Sequence, residues 1–260
     1  MALLEIKDLS IHFGGVKAVQ HVTFSVEEGA FIGLIGPNGA GKTTVFNGVT
    51  GVVRPTSGEI FFDGHLLNGM RPDRISHLGI ARTFQNIRIY PKMSALDNVA
   101  IGLDSRAKYN TIAAMLRLPS VRRRDQEIRD TCLGFLEQVG IVQYKDTEVG
   151  SLPYGLQRKV EIARALATGP KLLFLDEPAA GMNTAESLEL ITFLRELHQS
   201  TGIAIVLIEH HLEVVMEVCR KIHVLNLGQM LASGTPQEIQ KNPDVITAYL
   251  GERRKRGNGA

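Results

Sequence analysis

Eight residues constrain this chain more than any others: Gly36-Pro37-Asn38-Gly39-Ala40-Gly41-Lys42-Thr43. The apolar run Phe31-Ile32-Gly33-Leu34-Ile35 leads into them, and a helical pattern starting near Lys42, Thr43 and Thr44 leads out. Strand, glycine-rich loop and helix in that order form a phosphate cradle. Glycines let backbone N–H groups turn inward, and the helix N-terminus adds positive partial charge. Lys42 can reach a terminal phosphate, and the Thr43 hydroxyl can ligate magnesium. A chain with this loop is expected to be α/β, with the loop at the carboxyl end of a buried parallel strand.

The rest of the chain supplies partners for such a loop. The run Lys171-Leu172-Leu173-Phe174-Leu175 reads as a second buried strand and ends in Asp176-Glu177-Pro178. An aspartate there can hold a magnesium shell. The adjacent glutamate can orient or deprotonate a water for attack on a phosphorus. Ile203 to Ile208 reads as a third buried strand, ending at Glu209-His210-His211. A histidine at that strand end can reach the phosphate or the water. Gln85, after Ala81-Arg82-Thr83-Phe84, stands where a side chain could touch metal or water. Read singly, Gln85 is a weak signal that an ordinary junction residue would also give, and His210 also admits the role of a satisfied strand-end histidine.

Before the loop, residues 3–7 and 18–26 read as strands around Gly14-Gly15, with the aromatic Phe13 just ahead of the turn. Ser57 to Asp63 is another strand, turning at Asp63-Gly64. These early strands are expected to be antiparallel. From about 86 to 168 strand patterns vanish. Helical candidates span 93–118 and 125–139, split by Pro119 and the basic run Arg122-Arg123-Arg124. Further on, a helix is expected over about 184–199 with Thr184 as its N-cap. A hairpin is expected over 221–233 and a helix over 236–250. The tail Glu252 to Ala260 is basic and glycine-bearing and is expected to be disordered.

Composition excludes several classes. A net charge of +2 on 260 residues gives no strong field toward nucleic acid. The two cysteines, Cys132 and Cys219, lie in apolar stretches and read as buried thiols rather than a disulfide framework. The segment Met1 to Asp8 is too acidic and too short in apolar run for a signal peptide, and no run approaches a membrane span. The expected location is cytoplasmic, or peripheral on a membrane through a partner.

From about residue 4 to 251 the chain resembles the ATP-binding subunits of ABC transporters. Gly36 to Thr43, with Thr44, matches the Walker A motif, and Leu172 to Glu177 matches Walker B with its catalytic glutamate. Gln85 falls at the Q-loop, His210 at the switch histidine and Phe13 at the aromatic that stacks on adenine. Ser151-Leu152-Pro153-Tyr154-Gly155-Leu156-Gln157-Arg158 sits where the signature motif belongs, ahead of Glu161-Ile162-Ala163-Arg164. Here Pro153 replaces the signature serine and Leu156 the usual glutamine, while Gly155 is kept. Asn183 takes the place of the D-loop aspartate. A narrower resemblance, to branched-chain amino-acid importer ATPases of the LivG type, rests on four stretches. These are Arg82 to Asn86, Asp176 to Asn183, Ile208-Glu209-His210 and the ending Asn242 to Gly251.

The resemblance implies a P-loop NTPase with a RecA-like core, an antiparallel β sub-domain and a helical sub-domain at about 86–168. It implies ATP and Mg2+ as cofactors, with Thr43, Gln85 and Asp176 toward the metal. It further implies a second ATPase subunit whose site is completed by Leu152 to Gln157, two membrane permease subunits and, indirectly, a periplasmic binding protein. No nucleic acid is implied. The implied place is the cytoplasmic face of the inner membrane. Alternatives in the same frame are a urea or amide importer, a lipopolysaccharide exporter, a soluble ABC ATPase and a P-loop kinase.

Overall fold

The computed structural model describes residues 2–104, 119–209 and 212–249. Its frame is a six-stranded sheet. In chain order its strands are β3 (Phe31–Ile35), β6 (Ile80–Arg82), β7 (Leu172–Asp176), β8 (Ala204–Ile208), β9 (Lys221–Asn226) and β10 (Gln229–Gly234). They lie in the order β10-β9-β3-β8-β7-β6, parallel from β9 to β6, with β10 antiparallel at the edge. Strands β3, β7 and β8 are buried at every residue. Both faces of a parallel sheet are covered, so its strands read as unbroken apolar runs rather than alternations. The two faces feed separate cores. Phe31, Leu173, Leu175, Ile205 and Leu207 pack to one side. Ile32, Leu34, Leu172, Phe174 and Val206 pack to the other.

The second sheet covers that other side. It contains β1 (Ala2–Phe13), β2 (Val16–Glu27), β4 (Ser57–Phe62) and β5 (His65–Leu66) in the order β2-β1-β4-β5, all antiparallel. Between the sheets runs α1 (Lys42–Val49), whose Val45, Phe46 and Val49 are fully buried. The first face is covered by helices α3 (Ala95–Asp104), α4 (Pro119–Gln138) and α5 (Tyr154–Ala167) and by α6 (Thr184–Thr201). The chain also forms helices α2 (Pro72–Leu78), α7 (Leu212–Val218) and α8 (Pro236–Lys241). Between β6 and β7 the described residues hold only helical elements. No described helix is long and apolar enough to cross a membrane. Cys132 and Cys219 are buried free thiols, and burial pushes the Cys132 thiol up to about 11.

Four local readings of the sequence change. Arg122-Arg123-Arg124 lies inside α4, which begins at Pro119, so the basic run is part of a helix and not a break between two. Proline is accepted there because a first-turn N–H has no intrahelical acceptor to lose. Helix α6 is capped by Asn183, one residue before Thr184. The Asn183 side chain accepts from the Glu186 N–H, and the Glu186 carboxylate accepts from the Asn183 N–H. That reciprocal pair is a capping box, which Thr184 cannot form with a glutamate two residues on. The last helical stretch is interrupted: α8 ends at Lys241, and Asn242 accepts from Asp244 and Val245 N–H groups to start residues 243–249. Helix α2 and the three-residue β6 were not foreseen. The expected helix beyond 104 and the tail 252–260 lie outside the described residues.

Candidate functional site

The phosphate-loop candidate leaves the end of β3 and is clamped from below. Gly36 has φ 151°, and a Cβ there would collide with the Leu225 carbonyl of β9. Gly41 has φ 98° and its face meets the Ala18 carbonyl of β2. Both positions therefore require glycine, for handedness and for room. Above the loop the space is open: a Cβ on Gly39 would meet nothing within 4 Å. Pro37 and Ala40 are buried, and Asn38 and Gly39 are exposed. The hairpin between β9 and β10 pins the loop, with Gly228 N–H donating to Ala40 O at 3.1 Å.

Lys42 is 5% exposed and folds back along the loop. Its Nζ donates to Gly36 O at 2.6 Å and Pro37 O at 2.9 Å. Helix α1 starts behind it with no acidic side chain in its first turn, so its positive end is not offset from within. Thr43 is exposed and Thr44 half-buried. The loop thus combines a cation, free space and a helix N-terminus, the elements of an anion cradle.

Asp176 ends β7 at the same carboxyl edge of the sheet, paired in register with Ile208 of β8. Glu177 N–H donates to Ile208 O at 2.9 Å. Its φ is 46°, a left-handed value that a glutamate adopts only when its surroundings impose it. The next strand helps to impose it. Glu209 is fully buried and accepts from Ala179 N–H at 3.0 Å, holding the chain just past Glu177. Gln85 is exposed, and its Nε2 donates to Glu177 Oε2 at 2.9 Å. Asp176 Oδ2 accepts from Arg82 Nη2 at 2.7 Å. The structure therefore holds the neighbouring carboxylates by two separate pairs, Gln85 with Glu177 and Arg82 with Asp176. His210 lies outside the described residues.

Phe13 stands half exposed at the β1–β2 turn, an aromatic face open to a stacking partner. Pro153 occupies the N-cap of α5 and offers no side-chain hydrogen bond, but its carbonyl accepts from Leu156 and Gln157 N–H groups. Gln157 Nε2 donates to Leu152 O at 2.8 Å. Leu152 is buried, Tyr154 is exposed, and the face of Gly155 is open.

The residue that ties this helix to the rest is Arg158, which was not singled out in the sequence. It is fully buried. It donates to Phe84 O at 2.8 Å, Gln85 O at 3.0 Å, Glu161 Oε2 at 2.6 Å and Tyr154 Oη at 3.2 Å. Glu161 Oε1 accepts from Arg88 N–H at 3.2 Å. The one available signal was an arginine and a glutamate three apart on an otherwise apolar helix face.

Magnesium fits the candidate donors. The Thr43 hydroxyl, the Asp176 carboxylate and the Gln85 amide are all hard oxygen groups, which suit this ion. No cluster of three or more His, Cys, Asp or Glu able to hold a metal occurs among the described residues.

A phosphate cradle at one strand end, a carboxylate pair two strands away and a signature-position helix packed behind define an ATP-hydrolysing cassette of the P-loop class. Residues 19–180 match the ABC transporter family, and residues 229–255 match the branched-chain amino acid ATP-binding cassette transporter family. The chain is 42% identical over 250 residues to the high-affinity branched-chain amino acid transport ATP-binding protein BraF of Pseudomonas aeruginosa. That match covers 96% of this chain and 98% of BraF. It is 41% identical to LivG of Escherichia coli over the same shares. Among solved structures, the ADP conformation of an ATP-binding cassette of an ABC transporter superposes with a TM-score of 0.84 at 29% identity. That superposition covers 96% of this chain and 99% of the other. The chain belongs to the ABC transporter ATP-binding family, in its branched-chain amino acid group.

Proposed function

We propose that this chain is the ATP-hydrolysing subunit of an importer for leucine, isoleucine and valine. In this reading it pairs with a second ATPase subunit and rests on the cytoplasmic face of the inner membrane, against two permease subunits. A periplasmic binding protein delivers the amino acid. The observation that carries the reading is the carboxyl-edge group, with Glu177 held at positive φ beside buried Asp176 and bonded to Gln85. The BraF and LivG relatives direct the substrate choice.

In the proposed cycle Phe13 stacks on adenine, and Gly36 to Thr44 wrap the phosphates. Lys42 leaves the Gly36 and Pro37 carbonyls for the terminal phosphate. Magnesium, when bound, neutralises phosphate charge, and Thr43, Asp176 and Gln85 are the groups that would hold it. Glu177 accepts the proton of the attacking water, and His210 positions that water. Leu152 to Gln157 face the partner subunit's nucleotide. A groove of about 350 Å³ runs beside the Gln85 segment, lined by Val52, Ile75, Ile80, Phe84, Ile101 and Ala165 among others. It is mostly apolar and supports docking of a permease segment close to the residues that would sense nucleotide.

The test is reconstitution with the cognate second ATPase, permeases and binding protein in proteoliposomes. ATP hydrolysis should rise when the binding protein carries leucine, isoleucine or valine. Stimulation by urea or a short amide and not by these three would overturn the substrate assignment.

A further inference from the structure

The geometry points to Arg82 as a positioning residue that sets the spacing between the two elements expected to hold magnesium. The inference rests on the reading of Thr43 and Asp176 as metal-side groups.

Arg82 ends β6, hydrogen-bonded beside β7 with Arg82 opposite Phe174. Asp176 lies two residues beyond Phe174, hence on the same face of the sheet and within diagonal reach of a long side chain. The Arg82 side chain is 7% exposed and that of Asp176 5%. Its Nη2 donates to Asp176 Oδ2 at 2.7 Å and its Nη1 donates to Asn47 Oδ1 at 2.6 Å. Asn47 belongs to α1, four residues after Thr43, so the two side chains share one helix face. One rigid planar fork therefore joins the helix that presents Thr43 to the strand that presents Asp176.

The fork is itself held in place. Its carbon lies 5.6 Å from the Phe46 ring centroid and 5.0 Å from that of Phe84. These contacts fix the guanidinium plane between α1 and the segment leading to Gln85. With Oδ2 taken by Arg82, the carboxylate has one defined rotamer and presents its other oxygen in a defined direction. Partners that orient a metal ligand are commonly worth 10- to 100-fold in metal affinity. Lysine is not equivalent here, because its ammonium lacks the planar fork and the stacking face that hold the guanidinium between both acceptors.

The experiment measures ATP affinity of the full chain by calorimetry, with excess Mg2+ and with EDTA. The readout is the gain in affinity that Mg2+ brings. Arg82→Met should lose about tenfold of that gain, with affinity in EDTA unchanged within about twofold. Arg82→Lys should lose it too, and Asn47→Ala should lose about threefold, since only one prong is released. A wild-type gain in Arg82→Met, or an equal fall with and without Mg2+, overturns the inference. So does a wild-type gain in Arg82→Lys, which would leave charge alone as the cause. Should Arg82→Met not fold, Asn47→Ala decides: a reduced gain supports the bracket and an unchanged gain overturns it. Asp176→Asn separates the two layers. If that variant keeps the gain, the metal-side reading of Asp176 fails. If it loses the gain while Arg82→Met keeps it, only the bracket fails.

Discussion

Arg158 gives the sharpest stability prediction. It is a fully buried cation whose charge partner, Glu161, is 2% exposed. Two of its other acceptors are main-chain carbonyls of Phe84 and Gln85, more than seventy positions earlier in the chain. Arg158→Leu leaves the Glu161 carboxylate buried with its ion-pair partner gone and two carbonyls without their donor. Breaking a buried pair from one side costs about 3–5 kcal/mol. For a chain of this size that lowers the melting temperature by roughly 10 °C. Removing both partners is a different perturbation, because no charge is stranded. Arg158→Leu with Glu161→Leu should recover most of the loss and stay about 1–3 kcal/mol below wild type, since the Phe84 and Gln85 carbonyls and the Arg88 N–H remain short of partners. Urea unfolding of the four proteins in a double-mutant cycle measures this. A single-variant cost under about 1 kcal/mol, or a double-variant cost equal to the sum of the singles, would show that the pair does not hold these elements together.

Lys42→Ala should abolish ATP hydrolysis in the assembled complex, because the terminal phosphates lose their side-chain cation; near-normal turnover would remove the loop from the site. Glu177→Gln should bind ATP normally and slow hydrolysis by orders of magnitude, accumulating an ATP-bound associated form in gel filtration; normal turnover without added association would rule out Glu177 as the base. His223 supplies a pH dependence of stability. It is 2% exposed, lies against the Phe24 ring, and has no hydrogen-bond partner on either ring nitrogen. Burial, helped by nearby Lys221, lowers its pKa from 6.5 to about 4. Below about pH 6.5 the unfolded chain binds a proton that the folded chain refuses until about pH 4, so stability is complete above that window and falls by up to about 3 kcal/mol across it. Denaturant midpoints from pH 4 to 7 should show this slope, and His223→Phe should flatten it; an unchanged slope in that variant would place the titration elsewhere.

What the sequence made legible was whatever is encoded locally. The phosphate loop announces itself because its glycines, lysine and threonine are contiguous and the flanking run Phe31 to Ile35 is apolar throughout. Asp176-Glu177 is legible for the same reason, at the end of a buried run. Three-residue β6 is too short to show any period, and its strand character comes from pairing with β7. The choice between Asn183 and Thr184 as N-cap was decidable from Glu186, three residues after the asparagine. Arg158, Arg82 and Glu209 were not legible as a group, because each acts on a partner brought near only by the fold. Arg82 and Asp176 are 94 positions apart, and Glu209 and Ala179 are 30. A charged residue in an apolar stretch says that a partner exists and says nothing about which one.

The long-range partners of Arg82 and Arg158 converge on one short segment. Between Arg82 and Arg88 the chain leaves β6 and sends bonds in three directions. Arg82 reaches Asp176 and Asn47, the Gln85 side chain reaches Glu177, and the Phe84 and Gln85 carbonyls with the Arg88 N–H reach Arg158 and Glu161 on α5. The same segment supplies Arg82 and Phe84 to the wall of the apolar groove. The routes away from Glu177 and Asp176 through this segment lead to α1 by way of Asn47, to α5 and to the groove wall. Two buried charges on α5 make that end stiff, since moving Arg158 would strand Glu161. The segment's backbone is held by the buried Arg158–Glu161 pair and its side chains hold Asp176 and Glu177, so seven residues link that edge of the sheet to α5.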